Sequence, residues 1–379
     1  MKSSNVKKVL MTADTVGGVW TYAVELIRAF QEYGIQVFLA TMGRSVSEAQ
    51  RDDLCGVENI EIAESTYRLE WMDDPWADVN AAGKWLLRLE REFEPDIVHL
   101  NGYAHGALPW LAPKIVVGHS CVLSWWRGVK GEDAPASWRT YREQVQAGLR
   151  AADLVIAPTG AMLNCLVENY GDFAAGRVIP NGRRLDLFQP QAKENFILSA
   201  GRLWDEAKNV RAVCACSFNL PWPVCIAGET AFHSASSLEP SENKNFRILG
   251  SLSERAMLDQ MARASIFAHP AKYEPFGLSV LEAALSGCAL VLGDVPSLRE
   301  NWSNVAIFVN PNDPEQLQQA LLRLIYNPAE RESLARAARE QAQQFDIRFT
   351  GLSYIEAYES LLGVHETNQS PSREECVAA

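Results

Sequence analysis

The 379-residue chain lacks several features that would place it in a specialised class of protein. No apolar run reaches 18 residues, so the sequence predicts no membrane-spanning helix. Low-complexity tracts are absent, and with 47% apolar and 22% charged residues the composition is typical of a soluble globular protein. Positive charge is scarce, since 35 Lys and Arg stand against 47 Asp and Glu, a net charge of −12. Nucleic acid is therefore not an expected partner, because a phosphate backbone requires a basic surface.

Signals for disulfides and for metal binding are also missing. The eight cysteines form no C-x-x-C pair and mostly lie inside apolar runs, so we interpret them as reduced residues of a cytoplasmic protein. No H-x-x-x-H or H-E-x-x-H pattern occurs, and we expect no bound metal. The N-terminal apolar run is too short for a secretory signal. Peripheral contact with the inner membrane face stays open.

Short apolar runs rich in Val and Ile recur through the chain, and many precede a turn and a helical pattern. Such runs are typical of parallel strands that are buried on both faces. We predict strands over two series of residues: 7–12, 36–41, 96–100, 114–119, 153–158 and 177–181, then 196–201, 224–228, 246–250, 265–270, 289–294 and 306–310. Two doubly wound α/β domains follow from this alternation.

A strong turn at Pro180-Asn181-Gly182 and the charged segment after it separate the two series. The predicted organisation has an N-terminal Rossmann-like domain, a C-terminal Rossmann-like domain, a last helix and a disordered tail, over residues 1–185, 186–345, 346–365 and 366–379. Ligands of open α/β sheets bind beyond the carboxyl ends of the strands. The loops that follow strands are therefore the candidates for chemistry.

Two of these loops carry groups suited to a phosphate. Gly17 and Gly18 follow the first strand and open a helix, where backbone amides favour an anion; a plain tight turn is the alternative. Arg202 and Lys208 follow the first strand of the second series, and two cations suit a diphosphate. Their alternative is a solvated loop in which they pair with the acids between them.

Histidines end or follow predicted strands at three places. His119 ends the strand 114–119 and opens toward the same edge of the sheet, which makes it a candidate for catalysis or substrate contact. A single histidine is more often structural, and that alternative stands beside the first. His99 and His269 occupy similar positions and are weaker candidates.

The stretch "AKYEPFGLSVLEAALSG", residues 271–287, holds two acids eight positions apart, Glu274 and Glu282. An unpaired polar group on an apolar helix face costs about 2 to 7 kcal/mol, so something must hydrogen-bond Glu282. One interpretation is an S-x-x-E capping box with Ser279, which needs no ligand. It leaves Glu274 unexplained, and it does not explain the flexible Gly277 where a helix begins, a place where free amides bind anions or hydroxyls.

Taken in order, these loops resemble the family-4 glycosyltransferases of the retaining GT-B class. "YEPFGLSVLEA" matches the E-x7-E motif, "GRLWDEAKN" the G-R-L-x(n)-K-N segment, and "VIPNG" the interdomain P-N-G. "DTVGGVWTY" and "ADLVIAPTGAM" are similar to patterns of the N-terminal domain, and "FRILGSLS" to the strand and loop that meet the nucleotide base. The resemblance spans roughly residues 6–362. It implies a GT-B fold, two Rossmann-like domains with a C-terminal helix that crosses back to the first.

The resemblance also implies catalytic roles. Arg202 and Lys208 would neutralise the donor diphosphate as the glycosidic bond breaks. Glu274 would hold hydroxyls of the donor sugar, and His119 would contact that sugar near the reacting centre. Departure of the phosphate on the face of attack would explain retention without an enzyme nucleophile, so no residue is assigned as a covalent catalyst. No metal would be required, because Arg202 and Lys208 would do the work of a magnesium ion.

Further residues are implied for donor binding. Glu282 would accept both ribose hydroxyls, which would explain an acid in an apolar helix. The other implied donor contacts are the amides of the helix start, the base loop and the first glycine loop: Phe276, Gly277, Leu278, Leu252, Gly17 and Gly18. The chain departs from the family at Arg184, where Asp is common. Arg183 and Arg184 would meet either an anionic acceptor or a nearby acid.

The acceptor is the least determined part of the implied reaction. Seven of the eleven tryptophans fall between residues 71 and 138, and sugar rings stack on such faces, so Trp125 and Trp126 are candidates for a saccharide acceptor. A lipid-linked acceptor is the main rival, and a UDP-sugar is the favoured donor. A nucleotide-sugar hydrolase or epimerase is the alternative function, with His119 as its base. A catalytically idle binding protein should have lost Arg202, Lys208 or Glu274, and a dehydrogenase would need a G-x-G-x-x-G fingerprint.

Overall fold

The computed structural model describes residues 4–229 and 245–369 of the protein. In the first part of the described chain, seven parallel strands form one sheet in the order β3-β2-β1-β4-β5-β6-β7. The strands are β1 (Lys8–Asp14), β2 (Gln36–Met42), β3 (Ile60–Glu64), β4 (Ile97–Leu100), β5 (Lys114–Val117), β6 (Leu154–Ala157) and β7 (Gly176–Val178). The helices between them are α1 (Gly18–Gln31), α2 (Glu48–Asp52), α3 (Trp76–Phe93), α4 (Val122–Lys130), α5 (Arg139–Ala151) and α6 (Gly160–Tyr170).

A second parallel sheet follows, with six strands among the described residues in the order β10-β9-β8-β11-β12-β13. Its strands are β8 (Glu194–Ala200), β9 (Val224–Ala227), β10 (Phe246–Gly250), β11 (Ala264–His269), β12 (Ala289–Gly293) and β13 (Ala306–Val309). The remaining helices are α7 (Val210–Ser217), α8 (Glu254–Arg263), α9 (Leu278–Leu285), α10 (Pro296–Trp302), α11 (Pro314–Tyr326), α12 (Pro328–Ala342) and α13 (Ile347–Gln369). The predicted fold class, two doubly wound α/β domains, is confirmed.

The central strands are apolar throughout because helices cover both faces of each sheet. Every residue of β4, β6, β11 and β12 is buried. The edge strand β3 was not predicted. Its residues are only half-buried or exposed, so it alternates Ile with Glu instead of forming an apolar run.

The chain crosses between the domains twice at one place. The amide of Arg183 donates to the carbonyl of Phe345 (3.0 Å), and the amide of Ile347 donates to the carbonyl of Arg183 (3.1 Å). We call these two segments, residues 183–184 and 345–347, the hinge. Helix α13 then packs on the first domain, where Tyr354 and Tyr358 join its core, so the predicted returning helix is present.

Two further features concern the ends and the surface. Helix α13 continues to Gln369, four residues into the segment predicted as a disordered tail. An established helix extends at little cost even after its apolar stripe ends. The rest of that predicted tail, residues 370–379, lies outside the described residues. A search of the described helices found none with the length and apolarity needed to cross a bilayer.

Candidate active site

The loop after β1 places Gly17 directly against a cation of the second domain. Asp14 accepts hydrogen bonds from the amides of Val16 (3.0 Å) and Gly17 (3.1 Å), which closes the loop tightly. A Cβ atom at Gly17 would lie 3.1 Å from Nη1 of Arg202. Since the backbone of Gly17 is extended, its conformation does not require glycine, and a side chain here would instead press on the Arg202 guanidinium. The amide of Gly17 is committed to Asp14, so it is not free to meet a ligand as expected.

One face of α1 lines the cleft between the domains. Gly18, Tyr22 and Glu25 are spaced i, i+4 and i+7 and therefore share that face. A Cβ at Gly18 would lie 3.5 Å from Cδ1 of Leu278 in the second domain, and the amide of Gly18 has no partner among the described residues. The ring of Tyr22 packs on the ring of His119 with centroids 4.5 Å apart. Sequence reasoning missed Tyr22 and Glu25, although an acid inside an apolar helix pattern was the signal used for Glu282.

Asn101 fixes the tautomer of His119. The Nδ2 group of Asn101 donates to the carbonyl of Thr12 (2.7 Å), so its Oδ1 faces the two histidines. That oxygen accepts from Nε2 of His119 (2.8 Å) and from Nε2 of His99 (3.1 Å). Burial lowers the pKa of His119 to about 3, so the ring is neutral. His119 therefore presents Nδ1 as an acceptor, and this nitrogen has no partner in the part of the chain that the structure describes.

Lys208 and Glu274 form an ion pair at the C-terminal ends of β8 and β11. The Lys208 Nζ atom lies 2.6 Å from Oε2 of Glu274, and Nε2 of His269 lies 2.9 Å from the same oxygen. Burial alone would raise the pKa of Glu274, but Lys208 and His269 outweigh it and hold that pKa well below its usual range. Glu274 is thus a fixed carboxylate. Its Oε1 atom has no partner within residues 4–229 and 245–369.

The segment after Glu274 starts α9 with free amides. Gly277 adopts the left-handed region at φ 89°, and a Cβ there would lie 3.1 Å from Val280 and 3.2 Å from Leu298. Only glycine meets both demands. The amides of Phe276, Gly277 and Leu278 have no partners among the described residues, and helix N-terminal amides of this kind bind hydroxyl or anionic oxygens.

The capping-box interpretation of Glu282 is wrong. Helix α9 begins at Leu278 with Gly277 as its N-cap, so Ser279 lies inside the helix. Glu282 instead faces the hinge, where its Oε1 lies 3.1 Å from Nε of Arg183. This contact is an ion pair without hydrogen-bond geometry, since Nε of Arg183 has no hydrogen-bond partner. The carboxylate of Glu282 therefore accepts no hydrogen bond from any side chain that the structure describes.

Arg202 pairs with an acid of its own loop, as the solvated-loop alternative proposed for it, but its guanidinium also reaches the first domain. Its Nη2 atom lies 2.9 Å from Oδ2 of Asp205, and its guanidinium stacks over the ring of Trp204 at 5.1 Å. Nη1 is the nitrogen that points toward Gly17. Lys208 leaves the loop and reaches Glu274. The loop therefore delivers its two cations to different places, one at the glycine loop of the first domain and one at the start of α9.

The tryptophans have different surroundings. Trp125 donates its indole N–H to Oδ1 of Asp205 across the cleft (3.1 Å) and packs at 6.0 Å on the edge of Trp126. Both rings are half-buried. The other tryptophans of this region pack against the core of the first domain: Trp71, Trp76, Trp85, Trp110 and Trp138. The role of Trp125 and Trp126 in acceptor binding stays a prediction.

Leu252 lies in the loop between β10 and α8, half-buried against the core of the second domain. Its contact with a nucleotide base stays a prediction.

The hinge arginine Arg184 pairs with Glu25 through its side chain (3.1 Å) and its amide (3.0 Å). The two hinge arginines thus meet nearby acids, which was one of the two alternatives.

Comparison with known proteins identifies the family. The model described as Glycosyltransferase Family 4 matches residues 16–187, and that of Glycosyl transferases group 1 matches residues 186–341. D-inositol 3-phosphate glycosyltransferase of Streptosporangium roseum is 24% identical over 90% of this chain and 88% of its own. Glycogen synthase of Mycobacterium tuberculosis is 25% identical over 80% of each.

Solved structures share the whole architecture. Sucrose-phosphate synthase from Thermosynechococcus elongatus superposes with a TM-score of 0.80 at 18% identity, over 94% of this chain and 100% of the other. Anabaena HepE, solved in complex with UDP and glucose, superposes at 0.77 with 17% identity, over 94% and 100%. At these identities the superpositions establish the fold, and the family models establish the class. The chain belongs to the family-4 glycosyltransferases and has the GT-B fold.

Proposed function

We propose that this glycosyltransferase moves a hexosyl group from a nucleotide-diphospho sugar, a UDP-sugar in first place, to a saccharide or lipid-linked saccharide acceptor. Transfer retains the anomeric configuration, needs no metal ion, and serves polysaccharide or glycoconjugate synthesis. The observation that carries the proposal is the start of α9. Three unpartnered amides there stand between two acids, the buried Glu274 and the half-buried Glu282, whose carboxylates each keep an oxygen without a described hydrogen-bond partner.

This arrangement suits a nucleotide sugar because the site offers positive charge for the diphosphate and hydrogen-bonding groups for the hydroxyls on either side of it. Arg202 and Lys208 supply positive charge where the leaving diphosphate becomes more negative, which lowers the barrier most when the charges are already in place. Glu274 and the amides 276–278 offer acceptors and donors for sugar hydroxyls. Glu282 offers acceptors for a ribose diol. Two fixed cations also supply the charge that a magnesium ion would bring, which is the argument for a metal-independent reaction.

The nucleotide is proposed by comparison. Anabaena HepE was solved with UDP, with UDP and glucose, and with UDP-glucose, and its fold covers nearly all of this chain. The acceptor is proposed to be a saccharide because Trp125 and Trp126 lie half-buried beside the cleft. If a Trp126→Ala variant kept the acceptor KM unchanged, the proposal that this ring binds the acceptor would be wrong. Flotation with liposomes would decide between a free and a lipid-linked acceptor.

The alternative of a hydrolase or epimerase requires a general base with a pKa near the working pH. His119 is the candidate for that base, and burial lowers its pKa to about 3. At neutral pH such a ring is a weak proton acceptor. It is better suited to accept a hydrogen bond from a sugar hydroxyl through Nδ1, so the transfer reaction is the stronger proposal.

The test is a screen of UDP-, GDP- and ADP-sugars for thermal stabilisation, followed by NMR of the anomer released without acceptor. We expect one class of nucleotide sugar to raise the Tm of the protein. The sugar released from it should have the same anomeric configuration, α or β, as in the donor, and its release should be unaffected by EDTA. Glu274→Gln should abolish turnover. Glu90→Gln is the matched control, a buried acid of α3 that accepts amide hydrogen bonds from Leu111 and Ala112, and it should keep turnover.

Three results would contradict the proposal: no donor stabilises the protein, the released sugar has the inverted configuration, or Glu274→Gln turns over as well as Glu90→Gln. Loss of activity in EDTA that magnesium restores would remove the metal-independent part alone.

A further inference from the structure

Arg183 lies where both crossings of the hinge meet. Its amide and carbonyl are hydrogen-bonded to Phe345 and Ile347, as described above. These two backbone hydrogen bonds make an isolated parallel β-bridge between Arg183 and Asp346. Its side chain is 3% exposed. The guanidinium also stacks over the ring of Phe188 at 5.6 Å. The residue is therefore fixed at its backbone and at its side chain.

Three acids from three helices surround this guanidinium. Nη1 lies 3.2 Å from Oε1 of Glu25 in α1, and Nη2 donates to Oε1 of Glu254 in α8 at 2.8 Å. Nε lies 3.1 Å from Oε1 of Glu282 in α9. Glu25 belongs to the first domain and the other two acids to the second. Each nitrogen of one planar group thus addresses a different carboxylate, which a lysine could not reproduce.

Arg183 is also the nearest positive charge to the Glu282 carboxylate among the described residues. Burial holds the pKa of Glu282 above its usual range; Arg183 opposes that rise without cancelling it, and Glu254 and Glu25 add to it. Among the described residues, Arg184 pairs with Glu25 alone. Without Arg183, Glu25 would keep its pair with Arg184, but Glu282 would lose its ion pair while Glu25 and the 39% exposed Glu254 stayed nearby, and the cheapest relief would be to protonate Glu282. A protonated Glu282 loses an acceptor that a ribose diol needs.

We propose that Arg183 is a positioning residue for donor recognition: it keeps the Glu282 carboxylate charged and turned to the cleft, so that the ribose hydroxyls of the nucleotide are bound. This inference rests on the proposed function, in which Glu282 accepts those hydroxyls. Because the same guanidinium holds Glu25 of α1, the ribose site is also tied to the first domain. Arg183 touches no substrate atom itself.

The test measures discrimination between ribose and deoxyribose. Kd values of UDP, GDP and ADP and of their 2′-deoxy forms are measured by calorimetry at pH 6 and pH 8. Variants are Arg183→Met, Arg183→Lys, Glu282→Gln and, as the matched control, Arg184→Met. For the nucleotide that the wild type binds best, we expect the ribose form to bind about tenfold tighter, equivalent to about 1.4 kcal/mol. Arg184→Met should keep that ratio.

Arg183→Met should lower the ratio to about two at pH 6, and part of it should return at pH 8, because a higher pH favours the charged form of Glu282. The wild-type ratio should be the same at both pH values. Arg183→Lys should restore the independence from pH, because it restores the charge, but only part of the ratio. If Arg183→Met fails to fold, Arg183→Met/Glu25→Gln removes one buried charge of each sign, and the ratio is read on that variant.

The outcomes separate this inference from the proposed function. If the wild type binds none of the nucleotides, the proposed function fails. If Glu282→Gln leaves the ratio unchanged, the ribose role of Glu282 fails and this inference fails with it. If Glu282→Gln lowers the ratio but Arg183→Met leaves it intact at both pH values, only the role of Arg183 is overturned. An equal loss in Arg184→Met would also overturn it, because the effect would then belong to the hinge as a whole.

Discussion

The ion pair of Lys208 with Glu274 is expected to stabilise the fold as well as serve the reaction. The two atoms are 2.6 Å apart, and the side chains are 18% and 9% exposed. Removing one partner of a buried pair leaves an uncompensated charge and costs about 3 to 5 kcal/mol. Because some solvent reaches Lys208 and His269 still bonds the carboxylate, we expect the lower end, about 3 kcal/mol, for Lys208→Met.

The assay is a double-mutant cycle in urea with Lys208→Met, Glu274→Gln and the double variant. The double variant removes both charges, so it should recover much of the loss, with a coupling energy of about 2 kcal/mol. The pair of Lys130 with Glu206 is the control, since it is equally short at 2.7 Å but its side chains are 33% and 60% exposed. Its coupling should stay below about 1 kcal/mol.

Acid should weaken the buried pair in a defined direction. The pKa of Glu274 is held below its usual range in the folded state, so the stabilisation is complete above the pKa of an unfolded Glu, about 4.3, and falls as pH drops toward the folded pKa. The stability gap between wild type and Lys208→Met should therefore stay constant from pH 7 to about pH 5 and narrow below about pH 4. A coupling energy no larger than that of the exposed pair, or a gap that widens in acid, would refute this reasoning.

Two more predictions concern the first domain. Gly17→Ala should raise the Kd of the bound nucleoside diphosphate about tenfold, because the new methyl group displaces Arg202. The unfolding free energy should change by no more than about 1 kcal/mol, because the extended backbone accepts alanine. An unchanged Kd by calorimetry would count against the contact between Gly17 and Arg202. Asn101→Asp would place a carboxylate beside His119 and raise its pKa from about 3, so donor turnover should fall from pH 8 to pH 5 where the wild type is flat, and overlapping profiles would contradict the assigned tautomer.

Much of the architecture could be predicted because buried parallel strands have a strong pattern. Apolar runs with helices between them give both sheets, and the strand-end loops they define contain the residues now found around the cleft. The edge strand β3 was not predicted, because its residues are half-buried or exposed and alternate Ile with Glu instead of forming an apolar run. The pairing of Lys208 with Glu274 joins residues 66 positions apart, and no local pattern predicts it.

The site depends on details that spacing does not contain. Ser279 and Glu282 have capping-box spacing, but the left-handed Gly277 starts the helix earlier and removes the cap. For Arg183 the sequence left two partners open, an anionic acceptor or a nearby acid. The three acids that surround it come from helices far apart in the chain, so no local pattern predicts them. Glu25 was the one contact that sequence reasoning could have found, because it is an acid in an apolar helix, as Glu282 is.

The most direct test of the account is a crystal structure with the nucleoside diphosphate that stabilises the protein best. We expect a diphosphate oxygen within hydrogen-bond distance of Arg202 and of Lys208, and the ribose hydroxyls on the Glu282 carboxylate while Arg183 still holds its other side. A nucleotide bound away from these residues, with Glu282 facing Arg183 alone, would contradict the account.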